Sequence, residues 1–561
     1  MNGSDILLES LKREGVEIIF GYPGGQIIGT FDRLFDCGIK HVLPRHEQGG
    51  VHAAEGYARA TGKVGVCIAT SGPGATNLVT GIADAYSDST PLVLITGQVG
   101  TTLIGGDAFQ EADIIGITRP IVKHSYLIKN IKEIPSAVKE AFHIASTGRP
   151  GPVLIDMPKD VQAAQGKFEY PKDIDLPGYQ PNYEGHLMQI KKILHALENA
   201  KKPLILIGGG VRLSGASDVL IVFAEATDIP VSTTFMGQGA FPFNHPLYVG
   251  WMGMHGNYAS NQASLNTDYI LAIGTRFSDR TTGNFREFAP NAAVAHIDID
   301  PTSISKNIPV NTPIVGDAKT VLKQFMKYIK EFKAEKNAKA RKIWLEEIAV
   351  WNSERPFSYI KSDNIIKPQF VVEQIYQITK GEAIITTEVG QNQMWAGQFY
   401  KFKYPNQFVS SGGLGTMGFG LPAAIGAKLG CPNKEVFDIA GDGSILMCIQ
   451  ELTMAVQYRI GIKVAILNNR FLGMVRQWQQ LFFDRRYSLT CLESQPDFVK
   501  VAEAFGCVGL RAETPPEVRT VLEEAMKVKN IPVVMDFRCA REENVFPMVP
   551  AGSGLDKMIF S

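Results

Sequence analysis

Short apolar runs bounded by turn residues recur in three blocks along the chain, alternating with segments of helical period. The first block places them at residues 64–69, 91–96 and 153–157, and the second at 203–207, 269–273 and 294–299. The third places them at 383–387, 436–440, 463–467 and 532–537. Continuous apolar runs of this length read as strands buried on both faces, which is how parallel sheets are built. The pattern predicts an α/β chain of three doubly wound parallel-sheet domains. Expected bounds are 1–165, 185–345 and 365–540, followed by a Pro- and Gly-bearing tail at 541–561. An amphipathic helix opens the chain almost at Met1. The Pro/Tyr-rich stretch 170–183 reads as an extended linker, and the Lys/Glu-rich stretch 323–354 as a helix ended by Pro356. Helices are also expected at 51–60, 75–83 and 421–429.

The candidate chemistry sits where these runs end. Gly441-Asp442-Gly443 closes one strand and Asn468-Asn469 closes another, with 24 residues between. Either half alone reads as a turn. Together they put a carboxylate and a carboxamide on the rim of one sheet, where ligands of open α/β folds bind. Two hard oxygen donors suit Mg²⁺, which takes few protein ligands and fills its octahedron with phosphate oxygens. Glycines at 441 and 443 let backbone approach a phosphate. The site therefore reads as a metal-bridged diphosphate site.

Further motifs lie in all three blocks. Arg45-His46-Glu47-Gln48-Gly49-Gly50 places Glu47 near a helix N-terminus, where the dipole favours a carboxylate; a capping glutamate is the plain alternative. Thr70-Ser71-Gly72-Pro73-Gly74 reads as a loop that admits a ligand or a neighbouring subunit, or as a simple turn. The segment from Ser410 to Gly418 is a Gly-rich crossing. In the middle block Gly208-Gly209-Gly210 and Gly274-Thr275-Arg276 follow strands, a weak dinucleotide signal, and His296-Ile297-Asp298 puts an acid at the end of a later strand.

Lys+Arg and Asp+Glu both number 56, so a nucleic-acid or anionic-membrane surface is not expected as the main partner. Seven scattered cysteines without a Cys-x-x-Cys suit a reducing compartment. With no apolar stretch of spanning length, the expected location is cytoplasmic.

The Asp442/Asn469 spacing resembles the motif of thiamine-diphosphate-dependent enzymes. That resemblance implies Asp442, Asn469 and the carbonyl of Phe471 as Mg²⁺ ligands. The run Arg45-His46-Glu47 with Ala53-Ala54-Glu55-Gly56-Tyr57-Ala58-Arg59 resembles the pyrimidine-binding domain of the same enzymes. By that likeness Glu47 hydrogen-bonds N1′ of the aminopyrimidine, a task for a buried carboxyl of raised pKa. Gly415 would accept from the 4′-amino group through its carbonyl, and Met417 would wedge between the two rings. Gly390, Gln391, Asn392, Gly443, Ser444 and Met474 complete the implied coenzyme set. The middle block resembles the FAD-binding central domain of acetohydroxyacid synthases. It implies Arg149, Gly208, Gly209, Gly210, Thr234, His255, Gly274, Arg276, Asp298 and Asp317 as flavin contacts, or a vestigial site.

The whole chain resembles the catalytic large subunits of that family, through 105–113, Met252-Gly253-Met254-His255-Gly256 and Gly473-Met474-Val475-Arg476-Gln477-Trp478. The family decarboxylates pyruvate on thiamine diphosphate and joins the two-carbon unit to a second pyruvate or to 2-ketobutyrate. Arg280 would then hold the second substrate's carboxylate, Trp478 its alkyl group, and Gln110 and Lys159 join Glu47 as catalytic candidates. The likeness implies a homodimer or homotetramer with the active site at the subunit interface, and a small regulatory subunit. A pyruvate oxidase-like flavin oxidoreductase and a non-catalytic nucleotide-binding regulator are the competing readings. The sequence departs from the family twice. Asn392 replaces the histidine of Gly-Gln-His, with its amide expected to donate instead. Gly100 replaces the proline of Gly-Gln-Val-Pro, at the rim used by the family's herbicides.

Overall fold

A computed structural model describes residues 1–561. The first sheet has strands β1 (Ile18–Gly21), β2 (Lys40–Val42), β3 (Gly65–Ala69), β4 (Leu92–Gln98), β5 (His124–Leu127) and β6 (Pro152–Pro158), in the order β2-β1-β3-β4-β6-β5. The second has β7 (Pro203–Ile207), β8 (Val231–Thr233), β9 (Tyr248–Trp251), β10 (Tyr269–Ile273), β11 (Ala293–Asp298) and β12 (Thr312–Val315), in the order β12-β11-β10-β7-β8-β9. The third has β13 (Ile384–Thr387), β14 (Phe408–Ser410), β15 (Val436–Gly441), β16 (Lys463–Asn468), β17 (Val508–Ala512) and β18 (Val533–Arg538), in the order β14-β13-β15-β16-β18-β17. Paired strands run parallel, with Ile439 opposite Ala465 and Ile95 opposite Ile155. The three doubly wound sheets expected from the sequence are present.

All ten predicted runs are strands, with ends moved by a residue or two. The other eight strands are three to five residues long and carry no extended apolar run. Edge strand β2 is exposed at two of its three residues, and β17 is mostly half-buried. Such strands are held by their neighbours' ladders and leave little trace in the pattern.

Contacts divide the chain into two compact units. One comprises residues 1–180, 383–392 and 409–541 and holds the first and third sheets; the other comprises 181–382, 393–408 and 542–561 and holds the second. No helix is long and apolar enough to cross a membrane.

Two helices differ from expectation. The segment 323–354 is not one helix: Ala318–Tyr328 ends, short turns intervene, and Ala338–Glu354 begins. Phe332 turns inward there, 9% exposed, and Lys333 N donates to Glu198 Oε1 at 3.0 Å. The segment 75–83 is likewise split, into Pro73–Thr76 and Val79–Asp88, with Asn77 at the junction.

In the first unit, helices Glu47–Thr61 and Gly420–Gly430 cross backbone to backbone. A Cβ on Gly56 would lie 2.0 Å from Ala423 O, and one on Gly426 would lie 1.8 Å from Ala53 O. No flexible side chain can yield at either point. Gly426→Val must therefore push the helices apart. Overpacking of this kind costs about 1–3 kcal/mol or more. Thermal unfolding should show a lowered Tm, and an unchanged Tm would refute the close crossing.

Candidate active site at the sheet edges

Each sheet reverses its winding between two central strands: β1 and β3, β7 and β10, β13 and β15. The crevice outside the carboxyl ends of such a pair is where open α/β sheets take ligands. Thr70-Ser71-Gly72-Pro73-Gly74 follows β3, Gly208 and Gly274 follow β7 and β10, and Gly390 and Gly441 lie at the ends of β13 and β15. The predicted motifs thus fall on all three switch points.

On the third sheet, Asp442 and Asn469 are 1% and 4% exposed. Burial pushes the Asp442 carboxyl up to about 6, opposed by its own amide, by the Gln495 side chain and by the amides of Asn469 and Arg470. The Gln495 amide donates to Asp442, and no cationic side chain pairs with it. Asn469 Oδ1 accepts from Phe471 N at 3.0 Å, and its Nδ2 faces Gln391 Oε1 at 3.3 Å. Gln391 in turn donates to Gln477 Oε1 at 2.8 Å. Asp442, Asn469, Phe471 and Gln391 are therefore gathered on one rim. A buried carboxyl without a counter-ion, beside a carboxamide, offers two hard oxygen donors that fit a divalent cation.

The neighbouring residues also serve the local structure. A Cβ on Gly443 would lie 2.7 Å from Leu472 Cδ2, so this glycine makes room for a leucine. Ser444 Oγ closes its own turn with Gly441 N and O, each at 3.2 Å. The Asn392 amide does not remain available as a donor: its Nδ2 is spent on Glu388 O at 2.8 Å and Ile439 O at 2.7 Å. Its Oδ1 faces the missing Cβ atoms of Gly390 and Gly441. Met474 and Trp478 lie one turn apart on helix Gly473–Phe482, both half-buried, with Trp478 edge-on to Phe482 at 6.1 Å. Gly415 has φ +80° on an exposed loop, with half-buried Met417 two residues on.

On the first sheet, Glu47 is the first residue of helix Glu47–Thr61. Asn77 Nδ2 donates to its Oε2 at 2.9 Å, and Oε1 lies beside Gly74. Gln110, with φ +60°, packs its backbone on Gly72 of the same loop. Glu47 is half-buried and not the fully buried carboxyl expected, because the helix end opens on the rim. Lys159 is exposed at the start of Lys159–Ala163. Arg149 lies in this unit, with Nε donating to Ser89 Oγ at 2.9 Å.

In the second unit, Cβ atoms on Gly208 and Gly210 would lie 2.2 Å and 2.6 Å from the backbone of Gly274. These glycines let two strand-end loops cross, and a Cβ on Gly209 would rest against Met236, 3.5 Å from its Cβ. Gly274 itself has φ +57°. Thr234 follows β8 and Asp298 ends β11, both buried, with Arg276 half-buried after β10. Asp317 caps helix Ala318–Tyr328, accepting from Thr320 N at 2.9 Å. His255 is 5% exposed; burial lowers its ring to about 4, and Nδ1 lies 3.2 Å from Pro547 O. Arg280 is exposed and pairs only with its neighbour Asp279 at 3.1 Å, a weak surface contact.

Sequence reasoning missed three buried carboxylates around these residues. Glu451 accepts from Arg45 N through both oxygens, at 3.1 and 3.0 Å, bracing the turn before Glu47. Burial raises its carboxyl to about 7. Glu388 accepts from Gly418 N at 2.6 Å and Leu421 N at 3.1 Å, fixing the helix start after Met417. Asp84 binds the hydroxyls of Ser411 and Thr416.

Residues 1–117, 190–325 and 388–537 match, in turn, the N-terminal TPP binding domain, the central domain and the C-terminal TPP binding domain of thiamine pyrophosphate enzymes. The chain is 49% identical over 564 residues to the acetolactate synthase large subunit of Haemophilus influenzae, covering all of this chain and 98% of that protein. It is 47% identical over 566 residues to the acetolactate synthase isozyme 3 large subunit of Escherichia coli, covering 100% and 99%. It is 48% identical over 568 residues to a probable acetolactate synthase large subunit of Methanocaldococcus jannaschii, covering 100% and 95%. With the switch-point geometry, these likenesses establish that the chain belongs to the thiamine pyrophosphate enzyme family and, within it, to the acetolactate synthase large subunits.

Proposed function

We propose that this chain decarboxylates pyruvate and condenses the two-carbon unit with a second pyruvate or with 2-ketobutyrate, the first common step of branched-chain amino-acid biosynthesis. The observation that carries the reading is the buried Asp442 carboxyl, without a counter-ion, beside Asn469 at the third sheet's switch point. Asp442, Asn469 and the Phe471 carbonyl would hold Mg²⁺ and, through it, the diphosphate. When bound, thiamine diphosphate supplies a stabilised carbon nucleophile and an electron sink for decarboxylation. Glu47 holds and returns a proton at the pyrimidine nitrogen, steadied by the Asn77 amide. Arg280, released from its weak pair with Asp279, offers a planar fork to the second substrate's carboxylate. Trp478 gives the apolar wall for the alkyl group, where one methylene discriminates by about 1–3 kcal/mol.

FAD would sit at the second sheet's switch point, over Gly209 and near Thr234, Arg276 and Asp298. The glycine-bearing loops that follow β7 and β10 at that switch point support this, whereas Asp317 is committed to capping its helix. A homodimer with a shared active site, a small regulatory partner and a cytoplasmic setting complete the reading. Seven free cysteines suit a reducing compartment. The test is incubation with pyruvate, with acetoin assayed after acid treatment and oxygen uptake recorded alongside. Acetolactate without oxygen consumption is expected; oxygen consumption without acetolactate would mark a flavin oxidoreductase.

Gly100 bears on inhibition. A Cβ there would meet nothing closer than Asp160 at 3.8 Å, so a larger residue fits. Gly100→Pro is expected to raise sensitivity to sulfonylurea-type inhibitors without changing kcat. Equal inhibition constants in the two proteins would remove Gly100 as the cause of any resistance.

A further inference from the structure

Loop 410–416 carries three glycines, Gly412, Gly413 and Gly415, and has little rigidity of its own. Buried carboxylates hold it from one face of helix Val79–Asp88, which belongs to the first sheet's side of the same unit. Asp84 is fully buried, and its Oδ1 accepts from both Ser411 Oγ and Thr416 Oγ1, the latter at 2.9 Å. Ser411 Oγ accepts in turn from Gly415 N at 3.0 Å and Thr416 N at 2.9 Å. One helical turn on, Asp88 Oδ2 accepts from Gly412 N at 2.9 Å and from Arg59 Nη1 at 3.2 Å. Arg59 Nη1 also donates to Ser410 O at 2.7 Å.

We infer that Asp84 is a positioning residue for the coenzyme: by gathering Ser411 and Thr416 on one oxygen it sets the loop conformation that aims the Gly415 carbonyl and places Met417. The inference rests on the reading above, in which Gly415 and Met417 meet the pyrimidine and the bend between the rings. Asp84 touches no reacting atom; it acts through Ser411 and Thr416. Its second oxygen lies close to Glu55, whose Oε1 is 2.9 Å from His52 Nδ1. Burial, followed by the neighbouring Asp84, raises the Glu55 carboxyl well above the usual carboxylate range, and burial lowers the His52 ring to about 4. A charge-assisted bond to two hydroxyls is worth more than a neutral one.

The test is thiamine diphosphate affinity at saturating Mg²⁺, measured by equilibrium binding, with Tm and the KM for pyruvate alongside. Asp84→Ala is expected to raise the coenzyme Kd about tenfold while KM for pyruvate stays unchanged. Asp84→Asn, whose carbonyl oxygen can still accept both hydroxyls, should recover most of the loss. Thr416→Val should weaken binding as well, and the Asp84→Ala/Thr416→Val double variant should be little worse than Asp84→Ala alone. If Asp84→Ala fails to fold, Thr416→Val decides the matter alone. Coenzyme affinity unchanged in these variants, or a lowered Tm with unchanged affinity, overturns the inference. If the unsubstituted protein binds no thiamine diphosphate, the proposed function itself fails, which is a separate outcome.

Discussion

Glu47→Gln yields a folded protein that binds thiamine diphosphate and Mg²⁺ normally, with kcat reduced by about 10²–10⁴-fold, the usual worth of a positioned acid–base group. Glutamine keeps the length of the side chain and can still accept from Asn77, whose bond to Glu47 Oε2 is 2.9 Å. The helix end is also braced independently by Glu451, through Arg45 N. The substitution therefore removes proton transfer and little else. Steady-state kinetics with pyruvate, paired with coenzyme binding, reads both parts. A variant with wild-type kcat would return Glu47 to the role of a helix-end carboxylate.

Asp442→Ala should abolish carboligation by preventing retention of metal and coenzyme, with the thiamine diphosphate Kd raised by about 10²-fold or more, the scale of losing a charged ligand. Unlike most buried substitutions, it should not destabilise the metal-free protein. Asp442 is 1% exposed with no counter-ion, and burial raises its carboxyl to about 6. Removing it relieves a desolvation cost that the metal offsets when bound. The expected pattern is an inactive protein whose metal-free Tm equals or exceeds that of the unsubstituted chain. Inactivity with a sharply lowered Tm would instead describe a residue needed for the fold.

The proposed metal ligands were placed on one rim by the sequence because they stand at the ends of long apolar strands. Runs 436–440 and 463–467 fix where β15 and β16 stop, and hence where Asp442 and Asn469 emerge. Glu47 was legible for a similar reason, as the opening residue of a helix. The residues that hold these in place were not. Glu451 reaches Arg45 across 406 residues, and Asp84 reaches Ser411 across 327. Nothing in local composition marks a carboxylate whose partner lies in another sheet's loops. The glycines carry a related ambiguity. Gly443 read as room for a phosphate and Gly208-Gly209-Gly210 as a dinucleotide signal, and the space of the missing Cβ atoms at 443, 208 and 210 is taken by Leu472 and by the backbone of Gly274. A missing side chain looks the same in sequence whether it admits a ligand or a neighbour. Asn392 shows the limit for polar groups: its donor count was correct, but tertiary structure had already engaged its amide.

The most direct measurement is reconstitution. Protein stripped of divalent metal and coenzyme is given pyruvate, and acetolactate is measured before and after adding Mg²⁺ and thiamine diphosphate, singly and together. Activity only when both are present, and none for Asp442→Ala under the same conditions, is the expected result. Condensation of 2-ketoacids at full rate by the stripped protein would contradict it.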